Sequence, residues 1–212
     1  MTQFKEIPAT KRSLALRRLV CGVGINDADY MVQPYVNGKQ VLCPYYSLWL
    51  SMIKRCYSEK CLESRPTYIG CSVIKEWLTF SLFKSWVITQ DWQGKQLDKD
   101  ILVAGNKIYS PKTCVFVSGE INRLLNRCEK IRGRLPQGVS FDERKKRYYS
   151  QCNVKGVVTH IGRFKTPAEA EIAYLKFKSS LIDSIAATQT VVIKDALMRH
   201  SQVMKDRITL LS

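Results

Sequence analysis

The residues whose chemistry is most evident are cationic. Arg144, Lys145, Lys146 and Arg147 follow one another and run directly into Tyr148 and Tyr149, and Arg163 and Lys165 stand further along. Guanidinium and ammonium groups in such a cluster hold phosphate oxygens and position a nucleic acid, while neighbouring polar side chains read base edges. A charge run by itself is the solvated tip of a hairpin, but the whole-chain balance argues for more. Lysine and arginine number 34 against 18 acidic residues, a net charge of +16 over 212 residues. A protein so charged repels itself unless it has a polyanionic partner. Nucleic acid is the expected partner, because its phosphates supply affinity through counterion release. An anionic membrane is the rival surface, yet neither a basic amphipathic helix nor a lipidation site is evident.

Carboxylates and thiols are the other groups with chemical potential. Asp98 and Asp100 flank Lys99, and Asn106 follows. Two carboxylates offer hard oxygen ligands to Mg²⁺; their plainer role is to cap a turn and bond nearby lysines. The eight cysteines are scattered, with no Cys-x-x-Cys pair. Scattered cysteines are mostly small buried apolar residues. A composite Zn²⁺ site from Cys56, Cys61, Cys71 and Cys114 is the one arrangement left open. Histidine occurs only at His160 and His200, which excludes chemistry built on several imidazoles.

These groups must be positioned by two units of an α+β chain. In the first, Asn37-Gly38 between the strand-like runs 30–35 and 40–43 predicts a hairpin. Pro44 introduces a helix over 45–57 with Tyr46, Trp49, Leu50 and Ile53 on one face, and Lys54 and Arg55 off it. A second helix is expected over 73–88 from its aromatic stripe, then a strand over 114–117 and a helix over 120–127. The second unit reads as strands over 139–141, 148–153 and 157–164, joined by a charged turn and by Lys155-Gly156. Thr166 and Glu169 form a capping box for a helix over 167–182. Ala170, Ala173, Tyr174, Phe177 and Leu181 face that helix toward the sheet, which leaves the opposite sheet face for a ligand. A helical tail, 191–211, is expected to pair with another chain or to pack back on the first unit.

Three segments carry a family resemblance: Gln137-Gly-Val-Ser-Phe141, Arg147-Tyr-Tyr-Ser-Gln151, and His160-Ile-Gly-Arg-Phe-Lys-Thr-Pro-Ala-Glu-Ala-Glu-Ile-Ala-Tyr174. Together they resemble the Apetala/ethylene-response-factor DNA-binding domain, about a quarter of the chain. That likeness implies a three-stranded sheet on a helix that reads the major groove through Ser140, Asp142, Arg144, Gln151, Asn153, Val158 and His160. Arg132, Arg134, Lys145, Lys146, Arg147, Tyr149 and Arg163 are expected to join them on the DNA. Several reading positions depart from the Arg and Trp of the plant pattern, so the plant target sequence is not implied.

The first unit resembles the HNH-type endonucleases of phages and mobile introns that carry such a C-terminal domain. The matching residues are Tyr46-Ser-Leu-Trp-Leu-Ser-Met-Ile-Lys-Arg-Cys56, Gly70-Cys-Ser-Val-Ile-Lys-Glu-Trp77, Leu97-Asp-Lys-Asp100 and Tyr109-Ser-Pro-Lys-Thr-Cys114. The resemblance implies a loop-rich, degenerate ββα unit with Asp98 and Asp100 on Mg²⁺ and Asn106 in the orienting position. It puts Lys99 where the family has its general-base histidine, and Thr113 where it has an asparagine. No histidine precedes His160.

The expected organisation is thus an HNH-like unit over 1–125, a basic linker over 126–136, the DNA-binding domain over 137–185 and a helical tail over 186–212. The expected function is sequence-preferring binding of duplex DNA, with Mg²⁺-dependent nicking if the first unit is active. The alternative is an inactive DNA-binding regulator, or an inhibitor that meets a host protein. A weaker one is an RNA-binding, ribosome-associated protein. With no long apolar run and no signal-like N-terminus, no membrane association and a bacterial cytoplasmic location are expected.

Overall fold

The computed structural model describes residues 4–125 and 134–212. Arg132, Cys128 and most of the expected linker lie outside the described residues. The chain is α+β and divides into two compact units, Met1–Ser118 and Gly119–Ser212. No helix among the described residues is long and apolar enough to cross a membrane.

The first unit is built from short elements around an aromatic core. After a one-turn helix α1 (Lys11–Ala15), the hairpin turn falls at Asn37-Gly38 as expected, but its strands β1 (Tyr35–Val36) and β2 (Lys39–Gln40) have two residues each and replace the longer runs expected over 30–35 and 40–43. Asn37 and Gly38 have φ of 51° and 74°, the pair of left-handed residues that a tight hairpin turn needs. Pro44 opens α2 (Pro44–Tyr57), which buries Trp49, Met52, Ile53 and Cys56. The Trp49 indole N–H donates to the Trp77 carbonyl at 2.7 Å, so the largest core side chain is also satisfied as a donor. α3 (Glu59–Ser64) follows directly.

The helix expected over 73–88 is broken in two. Ser72–Val73 is a strand, β3, paired in parallel with β5 (Ile108–Tyr109), and residues Lys75–Leu78 form a tight 3₁₀ turn. Only Phe80–Ile88 is α-helix, α4. Thr79 between them is extended, with φ of −93° and ψ of 125°. Distant segments impose the break: Ile25 N–H donates to the Leu78 carbonyl, Phe80 N–H to the Ile25 carbonyl, and Asp27 accepts from Ser81 N–H. Aromatic residues at helix-like intervals serve the core equally well from the two shorter pieces. β4 (Gln96–Asp98) pairs antiparallel with β6 (Val115–Val117), one residue shorter than the expected run.

The second unit begins with α5 (Gly119–Leu124) and holds the sheet β7 (Val139–Asp142), β8 (Arg147–Val154), β9 (Val157–Phe164), antiparallel in chain order. Lys155 and Gly156, at φ of 53° and 90°, make the β8–β9 turn. Helix α6 (Pro167–Ala186) starts with both halves of the Thr166–Glu169 capping box in place. It crosses one face of the sheet, with Tyr174 over the backbone of Gly138 and Cys152 beneath it.

The tail forms one helix, α7 (Val191–Leu211), and packs along α6 within the same unit. Its partner within the second unit is α6, a contact the sequence reading did not name. α6 has a second buried face, Leu175, Ser179, Ile182 and Ala186, that meets Ile193, Ala196, Leu197 and Ser201. Small residues on both sides let the backbones approach closely. Ion pairs Lys205–Asp183 and Arg207–Glu171, at 2.8 and 2.6 Å, flank the seam.

Candidate functional site

Alternation along a pleated strand sorts the second unit's side chains. Ser150 and Cys152 of β8 are buried on the helix side. Tyr149, Gln151 and Asn153 therefore point to the other face. The cross-strand register sets Ser140 and Arg163 opposite Tyr149, His160 opposite Gln151, and Val158 opposite Asn153. A bulge between Ser150 and Gln151 shifts the β8–β9 register and keeps His160 on the same face as Arg163. Gln151, Asn153, Val158, His160 and Arg163 are all exposed. Asp142 pairs with Arg147 at the end of the same face. The positions that the family resemblance assigned to reading DNA thus share one sheet face, apart from Arg144 in the adjoining turn.

That turn is shaped by Asp142. Its Oδ1 accepts the backbone N–H of Arg144 at 2.9 Å and of Lys145 at 3.1 Å, and its Oδ2 accepts the Tyr149 hydroxyl at 2.9 Å. The Lys145 N–H bond and the Tyr149 hydroxyl hold this carboxyl below the usual carboxylate range. Lys146 closes the turn with φ of 49° and pairs with Glu143 at 2.8 Å. Arg144, Lys145, Lys146 and Arg147 are exposed, as is Arg134. Tyr149 is ringed by Arg163 and by the His160 imidazole, 5.6 Å away.

The carboxylate cluster of the first unit follows β4. Asp98 Oδ1 accepts the backbone N–H of Asp100 at 2.9 Å and of Ile101 at 2.8 Å, an Asx turn that ends the strand. Burial, followed by the hydrogen bond and charge of Asp100, pushes the Asp98 carboxyl up to about 6. Lys99 is buried; its ammonium donates to the Asn106 carbonyl at 3.0 Å and to Asp100 Oδ2 at 3.3 Å. Asn106 staples the loop: its amide donates to the carbonyls of Lys99 and Ile108 at 2.6 and 2.7 Å. Thr113 donates to the Ile108 carbonyl at 2.7 Å. Asp98, Lys99, Asp100 and Asn106 are therefore brought together. Both Lys99 contacts are hydrogen-bond donations, to the Asn106 carbonyl and to Asp100, and neither presents it to a water as a general base.

Asp98 and Asp100 are the carboxylates here that could hold a divalent cation, whose charge would offset their repulsion. Mg²⁺ is commonly held by one or two carboxylates, with waters and phosphate completing its shell. Among the described residues no group of three or more His, Cys, Asp or Glu side chains is arranged to hold a metal. Cys56, Cys71 and Cys114 are buried in the core, and burial pushes the Cys56 and Cys114 thiols up to about 12. Cys61 is half-buried on α3.

Two side chains around the cluster carried no sequence signal of their role. The Arg55 guanidinium stands 5.3 Å from the Tyr109 ring and 5.7 Å from the Tyr68 ring. Lys99 Nζ stands 6.0 Å from the same Tyr109 ring. The only hint was that Arg55 lies off the apolar stripe of α2.

No family model matches this chain, and no characterised protein or solved structure matches it either.

Proposed function

We propose that the protein binds duplex DNA and reads it with the open face of the β7–β8–β9 sheet. The observation that carries this reading is the line of hydrogen-bonding side chains on that face, Ser140, Gln151, Asn153, His160 and Arg163, beside the exposed basic turn 144–147. A narrow antiparallel sheet fits the major groove, where amide and imidazole groups can distinguish base pairs by their donor and acceptor patterns. The basic turn then grips phosphates and fixes the register. The net charge of +16 and the likeness to the Apetala/ethylene-response-factor domain support the same reading.

A second reading concerns the first unit, which is HNH-like in its motifs. The Asp98–Asp100 pair supports binding of Mg²⁺, which when bound supplies Lewis-acid polarisation of a phosphodiester and a more acidic water. Asp98 and Asp100 would hold the ion while Asn106 and Lys99 keep the loop closed. Without a histidine in this unit, proton removal falls to solvent, and slow nicking or none is expected.

Fluorescence anisotropy with labelled duplexes of differing sequence tests the first reading. Replacing Gln151, Asn153 and His160 with Ala should level the affinities among sequences, whereas Arg144→Ala with Arg147→Ala should weaken all of them and flatten the salt dependence. Unchanged binding in both variants would sink the sheet-face reading, and equal preference for duplex RNA would redirect it to RNA. Nicking of supercoiled plasmid with Mg²⁺, lost in Asp98→Ala, would establish a nuclease. Retention of plasmid without nicking would mark a binding scaffold.

A further inference from the structure

The first unit carries a concavity that neither the sheet nor the carboxylate pair uses. It lies between α2 and α3, has a volume of about 490 Å³, and is lined by Lys54, Arg55, Lys60 and Arg65 with no carboxylate. Ser47, Ser51 and Ser58 supply hydroxyls to its wall. On α2 these residues recur at helical spacing, Ser47, Ser51, Lys54 and Ser58, so one face of the helix is polar and cationic. The opposite face holds Trp49, Met52, Ile53 and Cys56 in the core. Lys54, Lys60 and Arg65 are exposed, and none has an ion-pair partner among the described residues. Four like charges around one hollow repel each other, and a polyanion bound there would relieve that repulsion.

We propose that this hollow binds the phosphodiester backbone of DNA, giving the protein a second contact in its first unit. The inference rests on the nucleic-acid reading above. Hydroxyl and cationic groups without base-reading amides suit phosphates, so the contact adds affinity without sequence preference. Arg55 connects it to the carboxylates. Its guanidinium is seated on Tyr109, the ring that Lys99 also approaches, and Lys99 is bonded to Asp100.

The test uses the full chain with Lys54, Lys60 and Arg65 all replaced by Ala, beside the Gln151, Asn153, His160 triple Ala variant. Circular dichroism checks folding, and a Lys54→Arg, Lys60→Arg, Arg65→Lys variant should restore binding. Anisotropy with two unrelated duplexes is measured across a range of KCl. The expected result is a several-fold loss of affinity that is equal for both sequences. The slope of log affinity on log salt should fall by about 0.9 for each phosphate contact removed. Unchanged affinity and slope in the hollow variant would overturn the inference and leave the sheet reading intact. Conversely, salt-dependent binding lost in that variant but unaffected in the sheet variant would uphold the hollow and sink the sheet reading. Titration with inorganic phosphate, followed by resonance shifts of α2 and α3 amides, separates the sources. Phosphate binding in the wild type with duplex affinity indifferent to the hollow would make it a small-anion site, again overturning the proposal.

Discussion

The guanidinium of Arg163 lies 5.3 Å over the ring of Tyr149, its cross-strand partner, and the Tyr149 hydroxyl is tied to Asp142. A long cationic side chain is thereby held at the centre of the sheet face instead of sampling solvent. Planar stacking of guanidinium on an aromatic face is a property of arginine that lysine does not share. Arg163→Lys should therefore weaken duplex binding although the charge is kept, by roughly fivefold if stacking contributes about 1 kcal/mol. Tyr149→Phe keeps the ring and loses only the bond to Asp142, so it should cost less. Anisotropy on the two variants measures the ordering; a larger loss in Tyr149→Phe would contradict it.

Asp98 makes folding sensitive to pH. Its carboxyl titrates at about 6 in the folded chain, against an ordinary value of 3.8. Between these values the folded state holds more protons than the unfolded one, so stability falls as pH rises through this window and levels off above it. Asp98→Asn keeps an oxygen to accept the two backbone N–H groups and removes the charge. It should raise the melting temperature at pH 8 and change it little at pH 4. Mg²⁺ should raise the melting temperature of the wild type at pH 8 by binding the folded state, and should leave Asp98→Asn unmoved. Thermal melts at the two pH values, with and without the ion, check all four expectations.

Gly138 has φ of 75°, and a Cβ there would sit 2.1 Å from the Tyr174 ring and 2.8 Å from the Gln151 carbonyl. Gly138→Ala combines left-handed strain with overpacking under α6, and should destabilise the second unit by about 2 to 4 kcal/mol. Urea unfolding would record the loss as a lower midpoint, and Gly156→Ala, where the space is open, should cost less.

Lys178 is buried beneath the sheet beside Cys152, and burial lowers its pKa. The unfolded chain then binds the extra proton, so this lysine costs stability at neutral pH and the cost shrinks as pH rises toward the ordinary lysine range. Lys178→Met should stabilise the fold at pH 7 by about 1 kcal/mol or more, read as a higher urea midpoint, with a smaller gain at pH 10. A lower midpoint at pH 7 would refute this account of Lys178.

Elements specified by neighbouring residues were legible in the sequence, and those specified by distant ones were not. Thr166 and Glu169 announce the start of α6 because both halves of the cap lie within one turn, and Lys155-Gly156 announces a hairpin for the same reason. The break at Thr79 comes from Ile25 and Asp27, more than fifty residues away, and leaves no local trace. The position of α7 depended on recognising a second buried face on α6, where Ser179 and Ala186 look unremarkable as sequence. Around Asp98 the acidic pair could be named, but the Asn106 staple and the Tyr109 ring between Arg55 and Lys99 needed the parallel pairing of β3 with β5. The hollow between α2 and α3 escaped for a similar reason, since Lys60 and Arg65 join Lys54 only after the chain turns at Ser58.

The neighbour-to-neighbour order of β7, β8, β9, α6 and α7 also bears on how the chain acquires its structure. Each closes on the element just before it, through loops of a few residues, which is the topology of rapid folding. The first unit must instead bring Ser72 to Ile108 and Gln96 to Val117 before its core can close. After dilution from denaturant, the second unit should reach its native amide protection before the first, although it follows the first in the chain.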